Sequence, residues 1–225
     1  IECEALARAG ANVLMLDVKE GHKADEVNSR LPADAGRVRF VECDLANPQA
    51  TKDLAAQLDA EAGGIDIVIN NAAINPLKPI DAYDLAEWQK VQDVNATAAV
   101  ALAMACVPSM KRKGWGQIIN ICSVTLNGGW GDFTSYVGSK GTLLGLTRAM
   151  ARELGPMNIH VAHVVVDGAI DTDFIRNGFP EKYATKDQDG ILNPEHIAEN
   201  YWYLHSQPRD AWSFELDLRP WNERW

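Results

Sequence analysis

Residues 117–166 read QIINICSVTLNGGWGDFTSYVGSKGTLLGLTRAMARELGPMNIHVAHVVV, and this stretch indicates the fold most clearly. Gln117–Cys122 and Ile159–Val166 are short, largely apolar runs, which is typical of strands buried on both faces of a sheet. Ser123–Phe133 contains several glycines and is predicted as a loop, and Thr134–Leu154 is predicted as a helix that ends at a Gly-Pro pair. A strand, a helix and a second strand in this order predict parallel strands joined by a crossover helix.

The alternation of strand and helix continues on both sides of this stretch. Further strands are predicted at Asn12–Asp17, Arg37–Glu42, Ile65–Asn70 and Ser213–Leu218. Further helices are predicted over Ile1–Ala9, around 24–30, from Asn47-Pro48 to about Ala62, from Asp84 to about Lys113, and from Asn193-Pro194 to just before Pro208. The chain is therefore predicted to be α/β, with a doubly wound parallel sheet in a single domain spanning 1–225.

The chain is acidic, with 31 Asp and Glu residues against 21 Lys and Arg and a formal net charge of −10 over 225 residues. Nucleic acids and anionic membrane surfaces require clustered basic residues, so neither is expected as a partner. The sequence has neither a long unbroken apolar run nor a basic leader before one, which favours a cytoplasmic protein. Four cysteines lie far apart without a CxxC pair and five histidines are scattered, so no metal site is expected.

Three polar residues form the pattern that indicates chemistry. Tyr136 and Lys140 are four residues apart on a predicted helix, so their side chains share one face. An ammonium group beside a phenol favours the phenolate, which should lower the pKa of Tyr136 toward a value useful for proton transfer. Ser123 follows the end of a predicted strand, where open α/β sheets bind their ligands, and its hydroxyl could hold a substrate oxygen.

With three further motifs, this pattern resembles the short-chain dehydrogenases/reductases. The serine, tyrosine and lysine match that family's catalytic set at its usual spacing, and Asn95 within Asp-Val-Asn-Ala-Thr matches its catalytic asparagine. Asn70-Asn71-Ala72-Ala73 resembles the family's Asn-Asn-Ala-Gly, with alanine in place of the glycine. Residues 167–172 resemble its Pro-Gly segment, with Asp167 in place of the proline. The resemblance covers essentially the whole chain and implies a Rossmann-like fold.

The resemblance also implies a mechanism, in which hydride passes between a secondary alcohol or ketone and a nicotinamide cofactor. Tyr136 would act as general acid in reduction and as general base in oxidation. Lys140 would hydrogen-bond the nicotinamide ribose and lower the pKa of the tyrosine. Ser123 would orient the substrate oxygen, and Asn95 would hold a water in a proton relay with the lysine. Members of this family are usually homodimers or homotetramers, so the same is expected here.

Asp17, the last residue of the first predicted strand, bears on the choice of cofactor. A carboxylate there accepts hydrogen bonds from the ribose hydroxyls and repels a 2′-phosphate, and no arginine stands beside it, so NAD is favoured over NADP. Asp44 and Leu45 match the position where the family holds the adenine ring. The remaining residues that the resemblance implies at the cofactor site are Asn71, Ala72, Tyr136, Lys140, Gly168, Ile170 and Thr172.

Both ends of the chain depart from the family pattern. The family begins with a strand and a Thr-Gly-x-x-x-Gly-x-Gly turn that binds the pyrophosphate, and nothing of that kind precedes Ile1. The missing strand would lie mid-sheet, so we expect about 15 to 25 further residues ahead of Ile1. At the other end, the segment 216–221 replaces the glycine-rich close of the commonest members. The tail also carries Trp212, Trp221 and Trp225, which we expect to contact a neighbouring subunit.

Two other functions stay open from the sequence. A non-catalytic or cofactor-sensing member of the same fold is favoured by the missing glycine turn and opposed by the intact catalytic set. An epimerase or dehydratase usually carries a longer substrate domain than the stretch after Thr172 allows. The substrate pocket is expected along Val124–Phe133 and Asp171–Lys186, whose aromatic residues suit an apolar secondary alcohol or ketone but leave sugars and polyols open.

Overall fold

A computed structural model describes residues 2–19 and 24–223, and the helices and parallel strands in it confirm an α/β fold. The described residues fall into two compact units. Unit 1 comprises those within 1–43, 167–207 and 218–225, and unit 2 comprises 44–166 and 208–217. A single domain over 1–225 stays a prediction.

The elements follow one another along the chain as alternating helices and strands. Among the described residues the α-helices are α1 Glu2–Arg8, α2 Ala24–Arg30, α3 Pro48–Glu61, α4 Leu85–Gln92, α5 Ala98–Lys113, α6 Thr125–Gly128, α7 Thr134–Leu154, α8 Asp173–Gly178, α9 Pro180–Tyr183 and α10 Pro194–Ser206. The strands are β1 Val13–Asp17, β2 Val38–Glu42, β3 Ile67–Asn70, β4 Gly116–Ser123, β5 Ile159–Val166 and β6 Glu215–Leu218.

Unit 1 holds a two-stranded parallel sheet in which β1 pairs with β2. Asp17 lies opposite Glu42 at the carboxyl end of this pair. Small and branched apolar side chains of α1, α2 and β2 form its core, with Ala7 fully buried and Val27 and Val38 nearly so. Burial of these side chains stabilises the two-stranded sheet, because removing apolar surface from water is the main favourable contribution to folding.

Unit 2 holds a four-stranded sheet in the order β3-β4-β5-β6, with β3, β4 and β5 running parallel. Every residue of β5 is buried, as is every residue of β4 except Ser123, which explains why both strands read as largely apolar runs. Helices α5 and α7 both pack against β4. The register sets Ser123 opposite Val166, so both parallel strands finish at the same edge of the sheet.

The long helix predicted from Asp84 to about Lys113 is interrupted. Asp84 caps α4 as expected, since its side chain accepts a hydrogen bond from the backbone N–H of Glu87 at 2.7 Å. A π-helical turn at Asp93–Thr97 then separates α4 from α5. Asn95 lies in this turn, and its side chain is hydrogen-bonded to the backbone of Ile74, 21 residues earlier in the chain.

The whole helical run Leu85–Lys113 is long and apolar enough to cross a membrane by length and composition alone. Half of its most apolar window is buried inside the protein. Its side chains Ala103, Cys106 and Met110 belong to the core cluster that includes strand residues of unit 2. A core helix of a folded domain passes the same composition test, and this burial identifies the run as one.

The predicted loop after β4 and the segment after β5 both contain short helices. The segment after β4 includes α6, and the segment after β5 includes α8 and α9. Thr172 caps α8 through a 3.4 Å hydrogen bond from the N–H of Ile175, and Pro180 begins α9. Sequence composition does not predict such short helices in segments rich in glycine and proline, because their stability comes from caps and tertiary contacts rather than from helix propensity.

Candidate active site

Lys140 is held in place by strand β4. Its side chain is almost wholly buried, with 2% exposed, and its Nζ donates a hydrogen bond to the carbonyl oxygen of Ile121 at 2.7 Å. Burial lowers the pKa of this lysine to about 8, since the charged form loses hydration. The Lys140 ammonium is therefore still mostly charged near neutral pH. Its bond to Ile121 fixes it near Ser123, the last residue of β4.

Tyr136 lies one helical turn before Lys140 on α7, and the two side chains share a face as predicted. The Lys140 Nζ is 5.6 Å from the centroid of the tyrosine ring. Burial raises the pKa of Tyr136, and a hydrogen bond with the side chain of Ser123 opposes that rise without cancelling it. The structure therefore brings Ser123, Tyr136 and Lys140 together within unit 2.

The direction of the Tyr136 pKa differs from the sequence expectation that Lys140 would lower it. The physical reason is that burial acts on both groups. The phenolate of Tyr136 loses hydration, while the ammonium of Lys140 is turned to the carbonyl of Ile121 and has a lowered pKa of its own. In the protein without ligands, desolvation outweighs any attraction between the two.

Asn95 is almost fully buried and has a hydrogen-bond partner for each of its side-chain groups. Its Nδ2 donates to the carbonyl of Ile74 at 2.9 Å and to the hydroxyl of Ser139 at 2.9 Å, and its Oδ1 accepts from the N–H of Ile74 at 2.8 Å. Both amide hydrogens are thus committed. The side chain joins the segment after β3 to helix α7, so a relay water would have to be held by the backbone of this turn, that of Asn95 included.

Four of the cofactor residues predicted in unit 2 lie within three residues of the carboxyl end of a strand. Asn71 and Ala72 are exposed and directly follow β3, and Asp44 and Leu45 come two and three residues after β2. The Asp44 carboxylate accepts a hydrogen bond from the N–H of Ala46 at 3.0 Å, which fixes it in a turn. These positions agree with ligand binding at the carboxyl ends of parallel strands.

The other predicted cofactor residues belong to unit 1. Asp17 ends β1, is exposed, and accepts a hydrogen bond from the N–H of Val18 at 2.7 Å. Gly168 has φ 145°, and a Cβ at this position would lie 2.8 Å from Pro220 Cδ, so a side chain would be strained there. Ile170 forms an isolated parallel bridge with Leu192, and Thr172 caps α8 as described above.

The two departures from the family pattern near the end of the chain contact each other. The N–H of Asp167 donates to the carbonyl of Leu218 at 2.8 Å, a hydrogen bond that a proline at 167 could not make. The Asp167 carboxylate also pairs with Arg219 at 3.2 Å, and both side chains are largely buried. Asp167 and the unusual 216–221 segment are therefore parts of one arrangement.

Two of the polar groups that unit 2 leaves unpaired fit a polar ligand such as a nicotinamide cofactor. Among the described residues of unit 2, Asn75 Oδ1, Thr125 Oγ1 and His163 Nε2 are buried without a hydrogen-bond partner, and His163 lies within β5. Asn75 follows β3 and Thr125 follows β4, so both lie after carboxyl ends of strands. Buried polar atoms without partners are unfavourable, and a polar ligand at this edge would supply what they lack.

Three side chains that contact the first turns of α7 were not predicted, namely Ser135, Ser139 and Tyr83. Ser135 and Ser139 are fully buried, and each immediately precedes Tyr136 or Lys140 on α7. The Ser135 hydroxyl donates to the Tyr83 hydroxyl at 2.8 Å, and the Ser139 hydroxyl donates to the carbonyl of Tyr136 at 2.7 Å. The four-residue spacing of the two serines, parallel to that of the Tyr-Lys pair, could have indicated a second helix face with its own partners.

Outside this site, two features bear on earlier expectations. Cys43, Cys106 and Cys122 are buried and Cys3 is half-buried, all as free thiols. In the tail, Trp221 is 81% exposed and Trp212 stacks on His160 with ring centroids 4.6 Å apart. Trp225 lies outside the described residues.

Comparison with known proteins places these features in a family. The family model for short chain dehydrogenases matches residues 2–182. An uncharacterized short-chain type dehydrogenase/reductase from Sinorhizobium fredii is 34% identical over 173 residues, which cover 76% of this chain and 68% of that protein. D-xylose 1-dehydrogenase from Caulobacter vibrioides is 32% identical over 209 residues, which cover 89% of this chain and 80% of that protein. A solved metagenomic short-chain oxidoreductase in complex with NADP has a TM-score of 0.79 and 26% identity, covering 97% of this chain and 90% of that one.

Proposed function

The chain belongs to the short-chain dehydrogenase family of oxidoreductases, and from that premise we propose that it is an NAD-dependent enzyme that interconverts a secondary alcohol and a ketone. Ser123, Tyr136, Lys140 and Asn95 are proposed to carry the reaction. The observation that supports this most strongly is the anchoring of Lys140, whose buried Nζ is bonded to Ile121 beside Tyr136. A buried lysine without a function in the site would be a costly feature to keep.

Tyr136 is proposed to hold the proton that is exchanged with the substrate oxygen. Its raised pKa keeps the phenol protonated at neutral pH, which is the form needed to donate a proton in reduction. For oxidation it must act as a base, and the charge of Lys140 would favour the phenolate. Ser123, which hydrogen-bonds Tyr136, would orient the substrate oxygen toward the same hydroxyl.

The nicotinamide ring, when bound, would give or take the hydride at the substrate carbon. In unit 2 we propose that Lys140 binds its ribose, that Asn71, Ala72 and Tyr136 contact the nicotinamide half, and that Asp44 and Leu45 hold the adenine. In unit 1 the proposed contacts are Asp17, Gly168, Ile170 and Thr172. Asp17 would accept hydrogen bonds from ribose hydroxyls and repel a 2′-phosphate, so we propose NAD, although two structural relatives hold NADP.

Aromatic side chains beside Tyr136 bear on the substrate. The ring centroids of Trp130 and Phe133 lie 6.2 Å apart, and those of Phe133 and Tyr136 lie 6.3 Å apart. Such a row offers apolar surface to a carbon skeleton next to the proton donor, and sugar rings also present apolar C–H faces to aromatic rings. We propose a small secondary alcohol or sugar, a range that includes the D-xylose in the name of one relative.

The proposal is tested by following reduced cofactor in the purified enzyme with NAD or NADP and a panel of D-xylose, xylitol, 3-hydroxybutyrate and cyclohexanol. We expect turnover with at least one of these, a higher kcat/KM with NAD, and almost none in the Tyr136→Phe variant. Cofactor binding without turnover, equal in wild type and Tyr136→Phe, would instead support a cofactor-sensing protein.

Assembly and location complete the proposal. We propose a cytoplasmic homodimer or homotetramer in one domain, with no nucleic-acid or membrane partner, on the strength of the family and the net charge of −10. The exposed Trp221 side chain is a candidate subunit contact. Light scattering of the purified protein measures the assembly directly.

A further inference from the structure

The start of helix α7 has no cap of its own. Its N-cap residue is Phe133, whose side chain makes no capping hydrogen bond. Tyr136 is the third residue of this helix, so the proposed proton donor lies in the first turn. The first turn of an α-helix has backbone N–H groups without helical partners and is the part that frays most readily. Some other contact must hold Tyr136 at a fixed position.

Tyr83 supplies such a contact from the segment after β3. Its hydroxyl accepts a hydrogen bond from the Ser135 hydroxyl at 2.8 Å and donates one to the carbonyl of Pro76 at 3.2 Å. Gln92 donates from its Nε2 to the carbonyl of Ser135 at 3.2 Å. The residue directly before Tyr136 is thus bonded through both its side chain and its backbone.

The Tyr83 ring is itself held. It packs edge-on against Trp88 with ring centroids 6.4 Å apart, and the ammonium of Lys78 lies 5.1 Å from its centroid. Lys78 also donates from its backbone N–H to the carbonyl of Asp132 at 3.1 Å, just before α7 begins. The segment 76–83 is therefore fastened to the start of α7 at two points.

We propose that Tyr83 and Ser135 are positioning residues, a hydrogen-bonded brace that holds Tyr136 in register with the segment after β3. This inference rests on the function proposed above, since Tyr136 is the proton donor and Asn71 and Ala72 of that segment contact the cofactor. Hydride and proton transfer to one carbonyl group require donors placed to a fraction of an ångström, so the two segments must keep their spacing.

The bond directions argue for positioning and against a second proton path. Ser135 donates to Tyr83, and Tyr83 donates to the peptide carbonyl of Pro76. A peptide carbonyl does not accept and release a proton at neutral pH, so the chain of hydroxyls ends there. Tyr83 and Ser135 consequently act through Tyr136, without exchanging protons with the substrate.

The test uses Tyr83→Phe and Ser135→Ala, each of which removes one hydroxyl and little volume. In the holoenzyme, with the panel substrate that wild type turns over fastest, each variant should lower kcat about tenfold while KM changes by less than about threefold. The deuterium isotope effect on hydride transfer should rise, because misplacement slows the chemical step. The double variant should be no slower than either single one, since both break the same brace.

Thr142→Ala is the matched control. This hydroxyl lies on the same helix, is exposed, and donates only to the carbonyl of Gly138, so its loss should leave kcat unchanged. Wild-type kcat in Tyr83→Phe and Ser135→Ala, or losses that add in the double variant, would overturn the brace. Losses that disappear when assays are run well below each variant's Tm would also overturn it, because they would reflect stability alone. If Tyr136→Phe stays active, the proposed function fails instead, independently of the brace.

Discussion

The Nζ of Lys140 donates a 2.7 Å hydrogen bond to the carbonyl oxygen of Ile121, which ties helix α7 to strand β4 two residues before Ser123. The bond crosses from one element of the candidate site to the other, so the spacing of Ser123 and Tyr136 depends on it. It also holds a cation in a buried place, and that burial has a measurable consequence for stability.

Stability should depend on pH through Lys140. Its pKa is lowered to about 8 in the folded protein by burial, against 10.5 ordinarily, so between these values the unfolded chain binds more protons. The free energy of unfolding of wild type relative to Lys140→Met should therefore rise with pH, by about 2 kcal/mol between pH 8 and 9.5. Denaturant unfolding at several pH values measures it.

The comparison with Lys140→Met is needed because other buried groups act in the opposite direction. Burial raises the pKa of Cys106 to about 12 and also raises those of Cys122 and Tyr136, so the folded state keeps protons that the unfolded chain loses above about pH 9. These contributions lower stability as pH rises. That of Cys106 should be equal in the two proteins, whereas the pKa of Cys122, which Lys140 lowers, should rise further in Lys140→Met and add to the same difference. A difference that stays flat from pH 8 to 9.5 would contradict a lysine with a lowered pKa.

Cofactor choice should depend on Asp17. Replacing it in the double variant Asp17→Ala/Val18→Arg removes the carboxylate that repels a 2′-phosphate and adds a cation at a position whose side chain is 54% exposed. We expect the ratio of kcat/KM for NAD to that for NADP to fall by about 10- to 100-fold. A wild-type preference for NADP, or an unchanged ratio in the variant, would assign the choice to another residue.

Asn95 should be needed for stability as well as activity. Asn95→Ala leaves the N–H and carbonyl of Ile74 and the hydroxyl of Ser139 without their partner in a buried place. The expected cost is about 2–4 kcal/mol of unfolding free energy, from two or three lost buried hydrogen bonds. Ser139→Ala removes only one of these bonds and should cost less. Equal stability of Asn95→Ala and wild type would show that these three hydrogen bonds contribute nothing to stability.

Restoring the family's proline at 167 should weaken the protein. Asp167→Pro removes the N–H that donates to Leu218 and leaves Arg219 without its carboxylate partner. Loss of one partner of a largely buried pair together with a backbone hydrogen bond should cost about 2–4 kcal/mol. Asp173→Asn is the control, since Asp173 makes an exposed ion pair with Arg176. A Tm equal to that of wild type in Asp167→Pro would show that the bonds from Asp167 to Leu218 and Arg219 do not stabilise the protein.

Local pattern was enough to predict much of the fold. Helix α7 and strand β5 begin and end where the sequence predicts, because a run of apolar residues, an Asn or Gly-Pro boundary and helical spacing are all local features. Ser123 was expected just after a strand and is instead the last residue of β4. Shifts of one or two residues at strand ends depend on pairing with neighbours, which the sequence does not display.

Distant contacts account for what the sequence did not predict. Asn95 in the π-helical turn bonds to Ile74, 21 residues away, and Ser135 bonds to Tyr83, 52 residues away. The raised pKa of Tyr136 follows from burial, which residue spacing cannot reveal. The sequence thus indicated Ser123, Tyr136 and Lys140, which the structure brings together, and did not indicate the side chains that contact their helix.

The central claim, that Tyr136 exchanges the proton with the substrate, is tested most directly by the kcat of Tyr136→Phe. This change removes the hydroxyl and keeps the ring and its contact with Phe133, so fold and Tm should be preserved. We expect kcat to fall by a factor of about 10² to 10⁴, as for loss of a general acid or base. A folded Tyr136→Phe variant that keeps more than about a tenth of wild-type kcat would contradict the assignment.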